Sequence, residues 1–278
     1  MESLHRRRLG AVLKTEILDV TPVSGGCVSH ALRVETPDGI FFAKFSEDSN
    51  STFQEEAAGL RALASEGLKV PEVLHANSQL LVTEWIESEP PQAAFWRRLG
   101  QELANLHKRP REEWGFAFDN HLGSTLQRNM RHKWNQMSWG EYFIKYRLEA
   151  LATQTEARAQ NLLREKRGLI RACLDAMTEP PSLVHGDLWS GNVLCSPGQT
   201  PVLIDAAPYW GHREVDLAMS ELFGGFADEF YIAYREAFPL SDGYERRREI
   251  YNLYHLLNHW ILFGESYRAR SLALLESI

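Results

Sequence analysis

Val184-His185-Gly186-Asp187-Leu188-Trp189-Ser190-Gly191-Asn192-Val193-Leu194, then Val202-Leu203-Ile204-Asp205, is the stretch whose reading decides the fold. An Asp is followed five positions later by an Asn. A second Asp closes an apolar run thirteen residues beyond that. Phosphotransferases related to protein kinases use this set: one carboxylate meets the acceptor hydroxyl, while the Asn and the second carboxylate hold Mg²⁺ on the ATP phosphates. Apolar strands on either side of a polar loop would bring the three side chains to one rim. The bland alternative, a polar turn between two strands, accounts for Asp187 and Asn192 but not for Asp205. Asp187 is therefore assigned the catalytic position, either accepting the hydroxyl proton or aligning its lone pair, and Asn192 and Asp205 are assigned to the metal.

Working outward, 278 residues suit one large domain or two lobes. A net charge of −7 disfavours nucleic acid as a partner, because phosphate backbones reward basic surfaces. No apolar run approaches the roughly 20 residues of a membrane span. Residues 1–14 read as a short amphipathic helix, with Leu4, Leu9, Val12 and Leu13 near one face. Cys27, Cys173 and Cys195 are an odd number at wide spacing, which predicts neither a disulfide framework nor a zinc site. A reducing cytoplasm is the expected compartment.

The first third is β-prone. Ala31–Thr36 and Gly39–Phe45 flank the turn signal Pro37-Asp38-Gly39 and predict a hairpin. Thr52 and Glu55 stand in capping-box relation at the start of a helix whose apolar face is Phe53, Ala57, Leu60 and Ala64. Val70–Leu74 and Leu80–Ile86 predict two further strands. Beyond Pro90 and Pro91 the pattern turns helical, with stripes at Phe95–Leu106, Tyr142–Leu151, Leu162–Met177 and Ile250–Phe263, and the Asp187/Asp205 region as its one β-like piece. The expected fold is α+β and two-lobed, like a protein kinase: a small β-rich N-lobe with one main helix over residues 1–86, a hinge at 87–94, and a larger helical C-lobe over 95–278.

Within that frame Lys44, ending a Phe-rich strand, is placed to hold the α and β phosphates. Glu56 is its expected partner, because Glu55 is taken up by the cap. Gly25 and Gly26 precede the hairpin and can turn backbone N–H groups toward phosphate. Cys27 beside them is either a stabilised, oxidisable thiolate or a buried inert thiol. Glu84, Trp85 and Ile86 lead into the hinge, where backbone groups can meet the adenine edge. Trp189 and Ser190 are acceptor-side candidates because the 187–192 loop places them. Asp216 is grouped with them, with helix capping or a bond to that loop as its structural readings. The aromatic and amide-rich segment 114–139 fits equally a sugar-binding face and a structured connecting loop. No Ala-Pro-Glu triplet follows Asp205, which disfavours a signalling protein kinase.

His185-Gly186-Asp187-Leu188-Trp189-Ser190-Gly191-Asn192, Tyr209 through Met219 and Leu222-Phe223-Gly224-Gly225-Phe226 closely resemble the fructosamine kinase (ketosamine-3-kinase) family. The resemblance extends to Ser24-Gly25-Gly26, Phe53 through Leu60, Leu99 through His107, and Gly123-Ser124-Thr125 with Gln127 and Asn129. It implies an aminoglycoside-phosphotransferase-like fold. It also implies ATP- and Mg²⁺-dependent phosphorylation of the 3-hydroxyl of a ketosamine, free or protein-bound, whose unstable product releases the amine in deglycation. Ala206 stands where the family usually has Pro, and Leu126 replaces a common Pro. The alternatives are a kinase for another hydroxylated amine, such as an aminoglycoside, choline or homoserine analogue, and a nucleotide-binding scaffold without catalysis. Monomer and homodimer are both compatible with the sequence.

Overall fold

The computed structural model describes residues 2–23, 30–46 and 52–278. Helix α1 (Glu2–Leu13) lies on a five-stranded antiparallel sheet. Its strands are β1 (Asp19–Pro22), β2 (His30–Thr36), β3 (Gly39–Phe45), β4 (Val73–Ala76) and β5 (Leu80–Glu84), in the spatial order β1-β2-β3-β5-β4. Helix α2 (Phe53–Ser65) connects β3 to β4. The turn between β2 and β3 is held by Thr36, whose Oγ1 accepts from the Asp38 N–H and donates to the Gly39 carbonyl. Register then follows from the period-two alternation of a strand. Ala43, Phe45, Leu80 and Val82 face Leu9 of α1, while Leu81 faces Phe53 and Ala57 of α2. Lys44 lies opposite Leu81, so it points to the α2 face of a central strand. Strand β1 was not expected from the sequence. Strand β4 begins after Pro71 rather than at Val70, as a residue without an N–H favours.

Glu84 ends β5 and helix α3 (Ala93–His107) begins the larger lobe. The expected α3 stripe is its core face: Phe95, Leu99, Leu103 and Leu106 are all buried, each contributing about 1.5–3 kcal/mol of hydrophobic stabilisation. Two small ladders follow, β6 (Glu113–Trp114) with β9 (His132–Lys133) and β7 (Asn120–Leu122) with β8 (Thr125–Gln127). The C-lobe is thus less purely helical than its sequence predicts, because two- and three-residue strands leave no periodicity to read.

The helix expected over 142–151 is three pieces. Helix α4 (Trp139–Phe143) passes through a π turn (Ile144–Leu148) into α5 (Glu149–Ala152). The π turn carries Arg147 into the interior, where its guanidinium lies 4.1 Å from the Tyr209 ring centroid and donates to the Arg128 carbonyl and Asn129 Oδ1. Then come α6 (Ala157–Asp175), strands β10 (Ser182–Val184), β11 (Val193–Ser196), β12 (Thr200–Leu203) and β13 (Tyr209–Gly211), and helices α7 (Glu214–Leu222), α8 (Asp228–Ala237), α9 (Tyr244–Phe263) and α10 (Glu265–Ser277). Strand β10 pairs with β13 and β11 with β12, so the quoted motif occupies two adjacent antiparallel ladders. No helix among the described residues is long and apolar enough to cross a membrane.

Candidate active site

Lys44 Nζ donates to Glu56 Oε1 at 2.8 Å and to Asp205 Oδ1 at 2.6 Å. The first bond joins β3 to α2 within the N-lobe, and the second crosses to the C-lobe. Burial alone would lower the Lys44 pKa, but the two carboxylates outweigh it and the ammonium is held above its ordinary range. Desolvation pushes Glu56 up to about 7 against the pull of Lys44. For Asp205 desolvation acts in the same sense, but the ammonium wins and its carboxyl lies below the usual range. The Asp205 backbone has φ +53°, a left-handed conformation uncommon for a residue with a side chain and tolerated best by Asp and Asn. With 41% of its side chain exposed, Asp205 is partly open to solvent where the two lobes meet.

Asp187 and Asn192 are tied within one loop. Asn192 Nδ2 donates to the Asp187 carbonyl at 2.9 Å and to Asp187 Oδ2 at 3.0 Å, which leaves the amide oxygen of Asn192 as its free acceptor. Asn192 immediately precedes Val193, which pairs with Leu203, and the Asn192 carbonyl accepts from the Ile204 N–H at 3.1 Å. The β11–β12 ladder therefore brings Asn192 and Asp205 to the same end. Burial first, and the Asp205 charge second, push Asp187 up to about 7. An amide oxygen and a carboxylate at one ladder end, with a second carboxylate bonded to the amide, form a hard-oxygen set suited to Mg²⁺ shared with phosphate and water.

The loop is held from behind by residues whose role has no local signature. His185 is buried and kept neutral by desolvation. Its Nε2–H donates to the Ile204 carbonyl, so Nδ1 is the acceptor for the Asp187 N–H at 3.3 Å. Asp216, grouped above with the acceptor-side residues, is fully buried and cannot reach an acceptor arriving from solvent. Its Oδ2 accepts from the His185 N–H at 2.7 Å and its Oδ1 from the Gly186 N–H at 2.9 Å, so the loop-bonding reading replaces substrate contact. His107, also kept neutral by burial, adds a 3.3 Å contact to Oδ2 and takes its own orientation from the Tyr234 hydroxyl.

The amide-rich segment proves to be a brace. Gln127 Nε2 donates to the Ala207 carbonyl at 3.0 Å and Asn120 Nδ2 to the Pro208 carbonyl at 2.9 Å. Both side chains are buried and bonded to each other, which excludes them as sugar ligands. They hold the loop after Asp205 at two successive carbonyls.

Trp189 is 39% exposed at the rim and its ring covers Gly191. Ser190 abuts Gly225, where an added Cβ would come within 2.4 Å of Ser190 Oγ. At the end of β5, the Glu84 carbonyl accepts from Thr83 Oγ1, and Trp85 carries the Arg33 guanidinium over its ring and donates from Nε1 to Glu87. Ile86 is half-buried beside it. Gly25, Gly26 and Cys27 lie outside the described residues. The capping box fails: Thr52 makes no side-chain cap, and Glu55 instead reaches His121 of the C-lobe. Glu56 pairs with Lys44 because it is on the inward face of α2, not because Glu55 is used locally.

The family model for fructosamine kinase matches residues 4–278. A probable ketoamine kinase of Synechocystis is 37% identical, over 91% of this chain and 88% of that protein. The chloroplastic protein-ribulosamine 3-kinase of Arabidopsis thaliana is 34% identical, over 94% and 83%. Among solved structures, a candidate fructosamine-3-kinase of Thermobifida fusca superposes with a TM-score of 0.86 at 30% identity, covering 98% of this chain and 97% of that one. The choline kinase LicA of Streptococcus pneumoniae shares the kinase-like fold at a TM-score of 0.69 and 17% identity, covering 100% and 99%.

Proposed function

This chain belongs to the fructosamine kinase family, and from that premise we infer that it phosphorylates the 3-hydroxyl of ketosamines, with ATP as donor. The observation that carries the site assignment is the meeting of Lys44, Glu56 and Asp205 across the cleft, with Asp187 and Asn192 joined on the adjoining loop. In this reading Lys44, oriented by Glu56, binds the α and β phosphates. The same reading assigns Gly25 and Gly26 to the phosphates, and Glu84 to Ile86 to the adenine. Asn192 through its amide oxygen, and Asp205 through its carboxylate, hold Mg²⁺. The cation supplies charge neutralisation on the phosphates.

Asp187 then aligns the ketosamine 3-hydroxyl. Its raised pKa favours taking the hydroxyl proton, while a cation held by Asn192 and Asp205 would favour the ionised form that does so. The new bond joins the sugar oxygen to the γ-phosphorus as the bridge to ADP breaks, with the proton passing to Asp187. Trp189 and Ser190 border the acceptor. Catalysis in this frame is positioning and electrostatic stabilisation, with no covalent enzyme intermediate. Elimination of the unstable 3-phosphate frees the amine, which is deglycation.

The proposed lobe bounds remain 1–86, 87–94 and 95–278, supported by the end of β5 at Glu84 and the start of α3 at Ala93. The proposed compartment is the reducing cytoplasm, in keeping with the unbridged Cys173 and Cys195. The test is an acceptor panel of ribulosyl-, erythrulosyl- and fructosyl-lysine beside an aminoglycoside and choline, with Asp187→Asn and Lys44→Ala. Ketosamine 3-phosphate is expected from the wild type alone, with nucleotide binding kept in Asp187→Asn and weakened in Lys44→Ala. Transfer only to the aminoglycoside or choline refutes the acceptor assignment, and an active Asp187→Asn refutes its role.

A further inference from the structure

Helix α2 carries Glu56, yet both its ends are fastened to the C-lobe. At its C-terminal end Arg109 Nη1 donates to the Glu66 carbonyl at 2.6 Å and to Glu66 Oε2 at 3.1 Å, and Arg111 pairs with the same carboxylate. At mid-helix Gly59 lies so close to the loop after Asp205 that an added Cβ would meet Pro208 Cδ at 2.9 Å and the Ala206 carbonyl at 3.2 Å. In the first turn Glu55 Oε2 meets His121 Nδ1 at 2.6 Å. Neighbouring helical residues point about 100° apart, so Glu56 turned toward Lys44 leaves Glu55 turned toward the β7–β8 hairpin. That hairpin is the one whose Asn120 and Gln127 hold the Pro208 and Ala207 carbonyls. One element thus grips the helix bearing Glu56 and the loop bearing Asp205.

We propose that Glu55 and His121 are positioning residues that, with the Glu66 clamp on Arg109 and Arg111, tie α2 to the C-lobe as well as to its own sheet and so set the separation of Glu56 and Asp205 on either side of Lys44. The consequence for turnover rests on the phosphotransfer reading above; the tether itself does not.

The experiment compares wild type with Glu55→Ala, His121→Leu, the double variant and His121→Asn, whose amide keeps a donor near the Nδ1 position. ATP KM and kcat are measured at saturating ketosamine, together with amide hydrogen exchange across α2 and the melting temperature. Each single variant is expected to raise the ATP KM and the exchange rate of the first turns of α2 by about 3- to 5-fold, the range for a partly exposed pair. The double variant should be no worse than the worse single, and His121→Asn should recover most of the loss. Effects that multiply in the double variant, or unchanged ATP KM and α2 exchange in both singles, overturn the proposal, as does a lowered melting temperature with unchanged KM. Wild type inactive on every ketosamine would overturn the functional reading instead, while exchange in α2 still decides the tether.

Discussion

Replacing Asp216 with Asn changes shape by almost nothing and tests how the Asp187 loop is held. Both carboxylate oxygens accept backbone N–H groups, from His185 at 2.7 Å and Gly186 at 2.9 Å, and His107 adds a third contact at 3.3 Å. An amide has one oxygen, so either rotamer sets an NH₂ against a buried N–H. A buried donor left unsatisfied costs about 1–3 kcal/mol, and a bond to a charged acceptor is worth about 1.5–3 kcal/mol. Relief from burying a charge offsets part of this, so the net loss should be about 2–4 kcal/mol. Burial opposes ionisation of Asp216, but the His107 and backbone contacts more than compensate, and its pKa lies below the ordinary range. The stability it contributes is present above the unfolded carboxyl pKa and is lost as pH falls through the folded one. Urea unfolding at neutral pH should therefore show the loss, and kcat should fall about 10- to 100-fold with ATP KM nearly unchanged, since Lys44 and Glu56 are untouched. A variant within 0.5 kcal/mol of wild type and fully active would refute the claim that these bonds position Asp187.

Gly186→Ala should be worse still: φ is +83° and the new Cβ would sit 2.1 Å from the Ala207 carbonyl, so the loop must move. Activity and melting temperature should both drop, and a normal kcat would show that the loop tolerates displacement. Burial lowers the His255 pKa to about 3, so its contribution to stability is present above about pH 6.5 and is lost as pH falls toward the folded value. Between pH 7.5 and pH 5 this amounts to about 2 kcal/mol. Asp187 and Glu56 titrate in the opposite sense, so the measurement is the difference in this pH dependence between wild type and His255→Gln by chemical denaturation. Identical pH dependences would refute it.

Much of the site was legible because its spacing is local. Asp187 and Asn192 share one loop, a short ladder carries Asn192 to Asp205, and strand alternation puts Lys44 on the α2 face. The α3 stripe was equally readable, because a 3.6-residue period survives in sequence. Strand β1 and the β6–β9 and β7–β8 ladders were not, since elements of two to four residues leave little that repeats. Glu55 shows how a local rule is overridden: its spacing from Thr52 reads as a capping box, but a carboxylate takes the best donor within reach, and folding brings His121 there.

Residue types and their spacing alone determined the chemistry on offer: two carboxylates, an amide and a lysine in kinase order, in a chain whose β-rich third precedes a helical remainder. Tertiary structure decided which of those groups meet and which are enclosed. It set Asp205 beside Lys44, buried Asp216 behind the loop, and turned Asn120 and Gln127 into a brace. The reason is that a side chain's charge and hydrogen-bonding capacity belong to the residue, whereas its desolvation and its partners depend on segments distant in sequence that only the packed chain brings near.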